Sequence, residues 1–301
     1  MKLIKPSFLI KEQENGLDGI YKQIEWAGRH CYKSHDKITE DSAKGFVERM
    51  IMSKHGACLE HGTVYLKVTY KDTDFATLCM FYGRNKYSVL NHSEDNRIYY
   101  ITTNYRVLVE NNHLSDLKYL CEPTEFHEKR ITVRFVCDRG VSHEYVRHRV
   151  FSFAQESTRY CNYSKDKFGN ELTFIQPLWL EGNSDYSPSA HRAYDYLYNE
   201  TYLEENIADE DRFIFGLVAI EDIYLKLISQ GWKPQEARAI LPNSLKTELV
   251  MTGFISDWEH FFDLRDAGSA HPQARELAHP LHMEFLRRGY IKDLYKEANP
   301  D

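Results

Sequence analysis

The sequence lacks the features that mark secreted, membrane-spanning and strongly basic proteins. Its six cysteines form no CxxC pair and no dense disulfide spacing, which suits a reducing compartment. No apolar run is long enough to cross a bilayer, and the first residues contain no signal-peptide core. The net charge of −7 leaves no global basic field to hold a nucleic-acid backbone. We therefore expect a cytoplasmic protein that binds any phosphate through a local group of cations.

The sequence also lacks internal repeats, low-complexity tracts and linkers rich in Pro, Gly and Ser. It contains instead a mixture of short strand patterns and long helix patterns. Apolar residues recur at every second position in residues 63–70 and 131–137, and at every third or fourth position in residues 20–31 and 211–230. These patterns predict an α+β fold in which an antiparallel-rich central sheet is flanked by long helices. They favour a single domain over residues 1–301.

Four further elements are predicted from local patterns. Residues 3–10 are typical of a strand, and residues 187–204 are typical of a long helix that is polar on one side. Pro234 and Pro272 are each suited to the first turn of a helix, where the missing N–H has no intrahelical partner in any case. We therefore expect two more helices in the last third of the chain.

The stretch from residue 142 to residue 160 is the densest in groups that bind anions. It contains Arg147, Arg149 and Arg159, together with two histidines and two glutamates, and aromatic residues lie between them. Arginine is the side chain best suited to planar, bidentate recognition of phosphate and carboxylate. The alternative is an ordinary solvated surface helix, which explains most charge-rich runs. The density of arginine favours a site for a large, multiply charged ligand.

This stretch follows a predicted strand, and its own pattern predicts a helix. The segment 138–140 ends the strand, and Ser142 is suited to cap a helix whose first turn holds Glu144. One apolar stripe of that helix would face the core, and its polar side chains would face the site. The stripe consists of Val146, Val150 and Phe153.

A zinc site in the same stretch is disfavoured by its spacing. His143, Glu144 and His148 resemble the zinc-protease motif, but the two histidines are one residue too far apart. On a helix they would diverge by about 140°, whereas the motif needs both on one face. We expect no metal.

Residues 147–160 resemble the signature of the flavin-dependent thymidylate synthases, RHRxxSxNExSxRY. The chain fills every position of that signature except the Asn-Glu pair, where Ala and Gln stand. Residues 237–247 resemble the family's ARxxLPxxxxT segment, and residues 260–265 resemble its HFxxLR segment. The region around Gln273 resembles its AQxEI block, and the order of the segments also fits.

The resemblance implies which side chains hold a flavin and which hold a nucleotide. The family's His-x-Ser/Thr-x-x-Glu-His pattern, which precedes a strand, is also partly met. The implied cofactor-binding residues are His55, His61, Arg147, His148, Arg149, Gln155 and His260. The implied substrate-binding residues are Glu144, Glu156, Ser157, Arg159, Arg238 and Arg265. Arg265 is also the implied catalytic residue, because a fixed cation against a pyrimidine stabilises the negative charge that develops as carbon five becomes nucleophilic.

The resemblance further implies the reaction and the assembly. Members of the family methylate dUMP to dTMP without an enzyme nucleophile, using FAD, NADPH as reductant and methylenetetrahydrofolate as carbon donor. Their active sites lie between the subunits of a homotetramer, and we expect no membrane or nucleic-acid partner. Minimal members have only a short turn where this chain has residues 71–130. We expect that segment to be an insertion packed against the same core.

Departures from the family's pattern leave alternatives open. Ala57 replaces a hydroxyl residue, Ala154 replaces an Asn, and Phe254 and Ser256 replace an Asn and an Arg that help to hold the cofactor. A related hydroxymethylation, or a pyrimidine other than uracil, is therefore one alternative. A protein that clasps single-stranded nucleic acid between arginines and aromatic rings is another, from a different class.

A nucleophilic cysteine is the rival mechanism, because classical thymidylate synthases use one. Cys161 follows Tyr160 directly, and a thiolate close to an arginine has a lowered pKa. Cys161 lacks the Pro-Cys-His setting of the classical enzymes, however, and buried inert cysteine is the commoner state. We expect Cys161 not to act as a nucleophile.

Overall fold

The structure of the chain is a computed structural model that describes residues 1–73, 75–95, 97–165, 169–180 and 208–292. Its strands are β1 (Lys2–Ile4), β2 (Ser7–Lys11), β3 (Thr63–Thr69), β4 (Val89–His92), β5 (Ile98–Asn104), β6 (Arg130–Asp138), β7 (Ser152–Gln155), β8 (Thr173–Ile175) and β9 (Lys246–Phe254). Its helices are α1 (Gly16–Tyr32), α2 (Ser42–Met52), α3 (Gly56–Leu59), α4 (Phe75–Phe81), α5 (Tyr105–Glu110), α6 (Arg139–Tyr145), α7 (Asp209–Ser229), α8 (Pro234–Ala237), α9 (Ile255–Arg265) and α10 (Pro272–Arg287). Short 3₁₀ helices cover His35–Lys37, Leu114–Tyr119 and Arg238–Ile240.

The central sheet has four antiparallel strands in the order β2-β6-β9-β7. The two middle strands pair along their whole lengths, from Arg130 opposite Phe254 to Asp138 opposite Lys246. β1 and β8 form a separate, parallel pair. The predicted α+β fold, with an antiparallel-rich central sheet and long flanking helices, is thus confirmed.

One face of the central sheet forms the main apolar core. Side chains alternate along a strand, so Val133 and Phe135 of β6 share this face with Leu249 and Met251 of β9. All four are fully buried against α6, α9 and α10, where Trp258 is the largest buried side chain. Burying each such side chain contributes about 1.5–3 kcal/mol, which holds the three helices on the sheet.

The opposite face of the same sheet is polar and is covered by α1. The register places Lys246, Glu248 and Thr252 of β9 on this face. Only a small apolar contact, centred on Ala27 of α1 and Val250 of β9, joins the helix to the sheet there. Because buried polar groups need partners inside the protein, the remaining contacts between helix and sheet must be polar.

A second, three-stranded sheet has the order β3-β5-β4 and its own core. That core joins the sheet to α1 and α2 through residues such as Phe46, Leu66 and Ile101. Residues 71–130 supply two of its three strands, and they also contain the 3₁₀ helix Leu114–Tyr119. The status of residues 71–130 as an insertion stays a prediction.

The helix predicted to start at Ser142 and to run through Phe153 is wrong at both ends. α6 starts earlier, because the Asp138 carboxylate caps it by accepting a hydrogen bond from the Val141 N–H at 2.8 Å. It ends at a turn, after which β7 pairs with β9. Phe153 therefore lies on a strand and Val150 is exposed before it, so the expected apolar stripe does not exist.

The remaining predicted elements are largely confirmed. The strand predicted over residues 3–10 is interrupted at Pro6, which has no N–H to donate, and forms β1 and β2. The helices expected to start at Pro234 and Pro272 are present as α8 and α10, although α8 is a single turn. The helix predicted over residues 187–204 lies outside the described residues. Among the described helices, none combines the length and the hydropathy needed to span a bilayer.

Candidate active site

The start of α6 is anchored to α10, and this anchoring fixes the position of Glu144. Gln273 donates from Nε2 to Asp138 Oδ2 at 3.1 Å, next to the cap of α6. Near the other end, the buried Tyr145 hydroxyl donates to the carbonyl oxygen of Ala274 at 2.7 Å. A side chain on so short a helix is thereby held on a rigid support, which precise recognition requires.

Arg265, the last residue of α9, reaches Glu144 and is held by three acceptors. Its Nη1 donates to Glu144 Oε2 at 2.8 Å, its Nη2 to the Glu144 carbonyl oxygen at 2.7 Å, and its Nε to His148 Nε2 at 2.9 Å. The plane of the guanidinium is thereby fixed, while its side chain stays 14% exposed. One N–H on each terminal nitrogen has no acceptor within the described residues, and these two donors are available to a ligand.

His148 is buried beside this guanidinium and is neutral. Burial, together with the charge of Arg265, lowers the pKa of His148 to about 4. A neutral imidazole can accept the Nε–H of Arg265, whereas an imidazolium could not. The His148 ring packs on Phe261, and its centroid lies 6.1 Å from that of the exposed His260.

The turn after α6 adds two exposed guanidinium groups to this group. Arg147 Nη1 lies 3.7 Å from Glu144 Oε1, on the side of the carboxylate away from Arg265. Arg149 is exposed and forms no ion pair with a described residue. We refer to Glu144, Arg147, His148, His260 and Arg265 as the Arg265 cluster. With one carboxylate among its guanidinium groups, the cluster keeps a positive excess that suits an anionic ligand.

A second charged group lies on the polar face of the central sheet, under α1. Lys246 Nζ donates to Glu156 Oε2 at 2.8 Å and to Glu248 Oε1 at 2.7 Å. Lys33, just after α1, donates to Glu248 Oε1 at 3.2 Å, and the Tyr163 hydroxyl donates to Glu156 Oε1 at 3.1 Å. We refer to these five residues as the Lys246 cluster. The Lys246 and Glu156 side chains are only 8% and 1% exposed, so this cluster neutralises its own charges.

The pKa shifts in the Lys246 cluster follow from burial and pairing. Burial alone would raise the pKa of Glu248, but the ammonium groups of Lys246 and Lys33 hold it at about 2. Burial also opposes the charge of Lys246, yet the two carboxylates raise the pKa of its ammonium. His30 of α1 lies 3.5 Å from Glu248 and stays neutral, because burial lowers its pKa to about 4. The paired charges are therefore fixed over the physiological pH range.

Gln155 ties the edge strand of the central sheet to α6. Its Nε2 donates to Ser142 Oγ at 2.9 Å and to Thr247 Oγ1 at 3.3 Å. Two residues further on, the Ser157 N–H donates to the carbonyl oxygen of Cys31 at 3.1 Å. Gln155 therefore lies close to the helix that carries Glu144, whereas Ser157 lies against α1.

The other implied ligand-binding residues do not contact the Arg265 cluster within the described part of this chain. His55 and Arg238 are exposed, and Arg159 is exposed with its guanidinium carbon 5.2 Å from the centre of the Tyr160 ring. His61 is fully buried, with Nδ1 2.8 Å from Thr252 Oγ1, and burial lowers its pKa to about 3. His55 and His61 therefore lie in opposite environments, because one is exposed and the other is fully buried.

The positions that depart from the family's pattern make contacts within the chain. Phe254 is buried, and the guanidinium carbon of Arg130 lies 5.6 Å from the centre of its ring. Ser256 donates from both its N–H and its hydroxyl to Glu128 Oε1, at the end of the segment expected as an insertion. Ala57 is exposed on α3.

Reasoning from the sequence missed Lys246, Glu248 and Lys33. A signal was present, because Lys246 and Glu248 are charged residues two apart at the start of an otherwise apolar strand. Two such residues share one face of the strand, so they require partners if that face is buried. The spacing of these residues does not indicate that α1 covers this face of the central sheet.

A sequence profile described as "Thymidylate synthase complementing protein" matches residues 73–288 of the chain. Among proteins with similar sequences, the flavin-dependent thymidylate synthase of Pyrococcus furiosus is 27% identical over 164 residues, which are 54% of this chain and 56% of the relative. The enzyme of the same description from Corynebacterium glutamicum is 29% identical over 155 residues, 50% of this chain and 53% of the relative. The matched region thus spans little more than half the length of these relatives.

Among solved structures, a UMP/dUMP methylase from Streptomyces cacaoi, bound with 5-Br dUMP, is similar to this chain. The alignment covers 95% of this chain and 93% of that one, with 16% sequence identity and a TM-score of 0.41. At these values the likeness carries no weight for the function of this chain.

Proposed function

The chain belongs to the thymidylate synthase complementing protein family, and on that premise we propose that it methylates dUMP to dTMP in a flavin-dependent reaction. The observation that carries the proposal is the fixed guanidinium of Arg265. Two separate family segments supply it and its partner His148, its other partner Glu144 lies three residues before the first of them, and it keeps two N–H donors for a ligand. Such an arrangement is suited to stabilise negative charge on a ring.

We propose FAD as the cofactor, held through its diphosphate by the exposed cations next to this guanidinium. Arg147 and Arg149 are exposed, and the fork of a guanidinium suits phosphate oxygens. His260 is exposed, with its ring centroid 6.1 Å from that of His148, and can complete the contact. When bound, the flavin supplies the hydride that protein side chains cannot supply. NADPH as reductant and methylenetetrahydrofolate as carbon donor belong to the same proposal.

In this proposal Arg265 contacts the pyrimidine ring. Glu144 orients Arg265, in addition to any contact that it makes with the ring itself. The Glu144 carboxylate already accepts from Arg265 and lies near Arg147, so it orients both cations. A preoriented charge needs no reorganisation when carbon five of the ring becomes nucleophilic, and this lowers the barrier. His148 holds the third side of the same guanidinium.

We propose that no cysteine of the chain acts as a nucleophile. Cys161, the candidate next to Tyr160, is 1% exposed and packs in an apolar cluster with Leu172 and Phe174. A nucleophile must reach carbon six of a bound ring, which a thiol enclosed by apolar side chains does not do. The burial of Cys161 therefore supports a mechanism based on placement and electrostatics.

We further propose that the complete site forms between the subunits of a homotetramer. Arg159 and Arg238 are exposed and do not reach the Arg265 cluster of their own chain within the described residues. In a symmetric assembly, exposed cations of one subunit can face the cluster of another. They would then contribute to binding the nucleotide phosphate.

One assay tests the proposed function. The purified protein is incubated with FAD, NADPH, methylenetetrahydrofolate and either dUMP or dCMP, and the nucleotide product is identified by mass. We expect a product from dUMP that is heavier by one methyl group, and a protein that absorbs in the flavin range. A hydroxymethyl product, or a product from dCMP alone, would replace the proposed substrate or reaction. A colourless protein with no product would overturn the proposal.

A further inference from the structure

A cavity of about 320 Å³ lies far from the Arg265 cluster, at the other end of β6. It is bounded by the segment 11–16, by β3, by the start of β6 and by residues around Cys121. A strand advances about 3.3 Å per residue, so the two ends of β6 are about 26 Å apart. None of the residues given a role in the proposed function lines this cavity.

The wall of the cavity is fixed rather than loosely closed. Gln13 donates from Nε2 to the carbonyl oxygen of Thr63 at 2.8 Å, and its Oε1 accepts the Thr63 N–H at 2.8 Å. These two hydrogen bonds hold the segment 11–16 against β3, as the backbone hydrogen bonds of a neighbouring strand would. The space between them is therefore a built feature of the fold.

The charges that line the cavity are not balanced. Lys11, Lys129 and Arg130 line it, and none of the three forms an ion pair with a described residue. The two carboxylates of the lining have other partners, because Glu12 accepts from Arg288 at 3.0 Å and Glu14 accepts from Lys22 at 3.0 Å. In a protein with a net charge of −7, this cavity keeps a local excess of positive charge that suits an anion.

Arg130 is the most constrained of these cations. It is 9% exposed and donates only to uncharged oxygens among the described residues: Nη1 donates to the carbonyl oxygen of Glu60 at 3.0 Å and to Thr63 Oγ1 at 3.3 Å, and Nη2 donates to Ser152 Oγ at 3.1 Å. Burial lowers the pKa of Arg130 to about 10, although Tyr65, Glu60 and Asp257 oppose this shift. An anion in the cavity would offset the cost of burying this charge.

Tyr65 adds an oriented donor to the same wall. Its hydroxyl oxygen accepts the backbone N–H of Arg130 at 3.2 Å, so its own O–H remains to donate. A hydroxyl donor beside uncompensated cations is a common arrangement around phosphate and carboxylate oxygens.

We propose that this cavity binds a small molecule through a phosphate or carboxylate group, held by Lys11, Lys129 and Tyr65 in front of Arg130. The cavity volume of about 320 Å³ is at the lower end of the range for small-molecule sites. Leu120 and Cys121 of the segment expected as an insertion form part of its wall, so that segment acquires a role in ligand binding. The site is independent of the proposed function, because the two share no residue.

The test is a residue-resolved footprint of the lysines. The whole protein is treated with an amine-acetylating reagent in sodium chloride, phosphate or succinate at equal ionic strength, and acetylation of each lysine is followed by peptide mass spectrometry. Lys44 of α2 is the internal control, because it is also exposed and without an ion pair to a described residue. We expect phosphate, succinate or both to slow the acetylation of Lys11 and Lys129 by about fivefold and to leave Lys44 unchanged, as an occupied site excludes the reagent.

A variant separates a built site from general screening of charge. Lys129→Gln removes one exposed cation of the cavity, and Lys44→Gln removes the control. We expect Lys129→Gln to raise about tenfold the anion concentration that is needed to protect Lys11. This is the effect expected from the loss of one charge-assisted hydrogen bond. Lys44→Gln should leave it unchanged. Protection by phosphate alone assigns a phosphorylated ligand, and protection by succinate alone assigns a carboxylate. Equal acetylation in all three salts, or protection of Lys11 that survives Lys129→Gln, overturns the proposal.

Discussion

The Arg265 cluster and the Lys246 cluster are built from the same kinds of side chain but are arranged in opposite ways. In the Lys246 cluster, two carboxylates enclose a buried ammonium, and every charge has a partner inside the chain. In the Arg265 cluster, one carboxylate lies between two guanidinium groups, and two N–H donors of Arg265 have no acceptor among the described residues. The first arrangement stabilises the fold, and the second is suited to bind an anionic ligand. Charge density alone does not distinguish them, whereas charge balance does.

The largest effect should come from breaking the balanced cluster. Lys246→Met leaves Glu156 and Glu248 in place without the ammonium that both accept from. An uncompensated buried charge costs about 3–5 kcal/mol, so we expect the free energy of unfolding in urea to fall by about that amount. Lys226→Met on α7 is the matched control, because Lys226 pairs with Asp222 in a pair that is 61% and 47% exposed. A loss no larger than that of the control would mean that the Lys246 cluster does not hold α1 to the sheet.

The next effect should come from breaking the open cluster, and it should appear in turnover. Arg265→Ala removes the fixed cation, and we expect turnover of dUMP to fall about 10²–10³-fold, as for the loss of an oriented charge-stabilising donor. Flavin content, measured by absorbance, should be retained, because Arg147 and Arg149 are untouched. Arg287→Ala at the exposed end of α10 should leave both readouts unchanged. Normal methylation by Arg265→Ala would remove the catalytic assignment.

Acid should separate the two clusters by pH. His148 has a folded pKa of about 4, below its ordinary 6.5, so it destabilises the folded state progressively as the pH falls from 6.5 to 4. Glu248 has a folded pKa of about 2, below its ordinary 4.5, so its stabilisation is complete above pH 4.5 and is lost as the pH falls to 2. Each change should amount to about 3 kcal/mol in the free energy of unfolding.

Two variants assign these windows to the two clusters. His148→Gln should flatten the pH dependence of the free energy of unfolding between pH 6.5 and 4, where His30 and His61 also contribute. Glu248→Gln should flatten it below pH 4.5 and change the upper window only through His30 and His35, whose pKa values the Glu248 charge raises. Identical pH profiles for the two variants would contradict the separate roles of the clusters.

The smallest effect should come from Cys161, which belongs to neither cluster. Cys161→Ala removes one sulfur from an apolar contact, and we expect a loss of about 1 kcal/mol in the free energy of unfolding. Turnover should stay within about twofold of the starting protein, because no covalent step passes through this thiol. Loss of turnover in a folded variant that still binds flavin would restore the nucleophilic mechanism.

The local elements and the family resemblance could be predicted from the sequence, since both depend on residues close together in the chain. The alternation in residues 63–70 and 131–137 predicted β3 and β6, the helical spacing in residues 20–31 and 211–230 predicted α1 and α7, and two prolines predicted the starts of α8 and α10. The exception is the stretch after Tyr145, where helical spacing was present but pairing with β9 formed a strand instead. A local pattern cannot include the energy of hydrogen bonds to a distant strand.

What the sequence by itself determined is the set of groups that can bind anions, because the residue types and their spacing in the motif can be read directly from it. Only the tertiary structure decided which of them act together. Arg265 meets Glu144 across 121 positions of sequence, and Lys246 meets Glu156 across 90. The register of β6 on β9 and the covering of one sheet face by α1 bring these charges into contact. Burial then strengthens the pairs Lys246–Glu156 and Arg265–Glu144, since water screens them less.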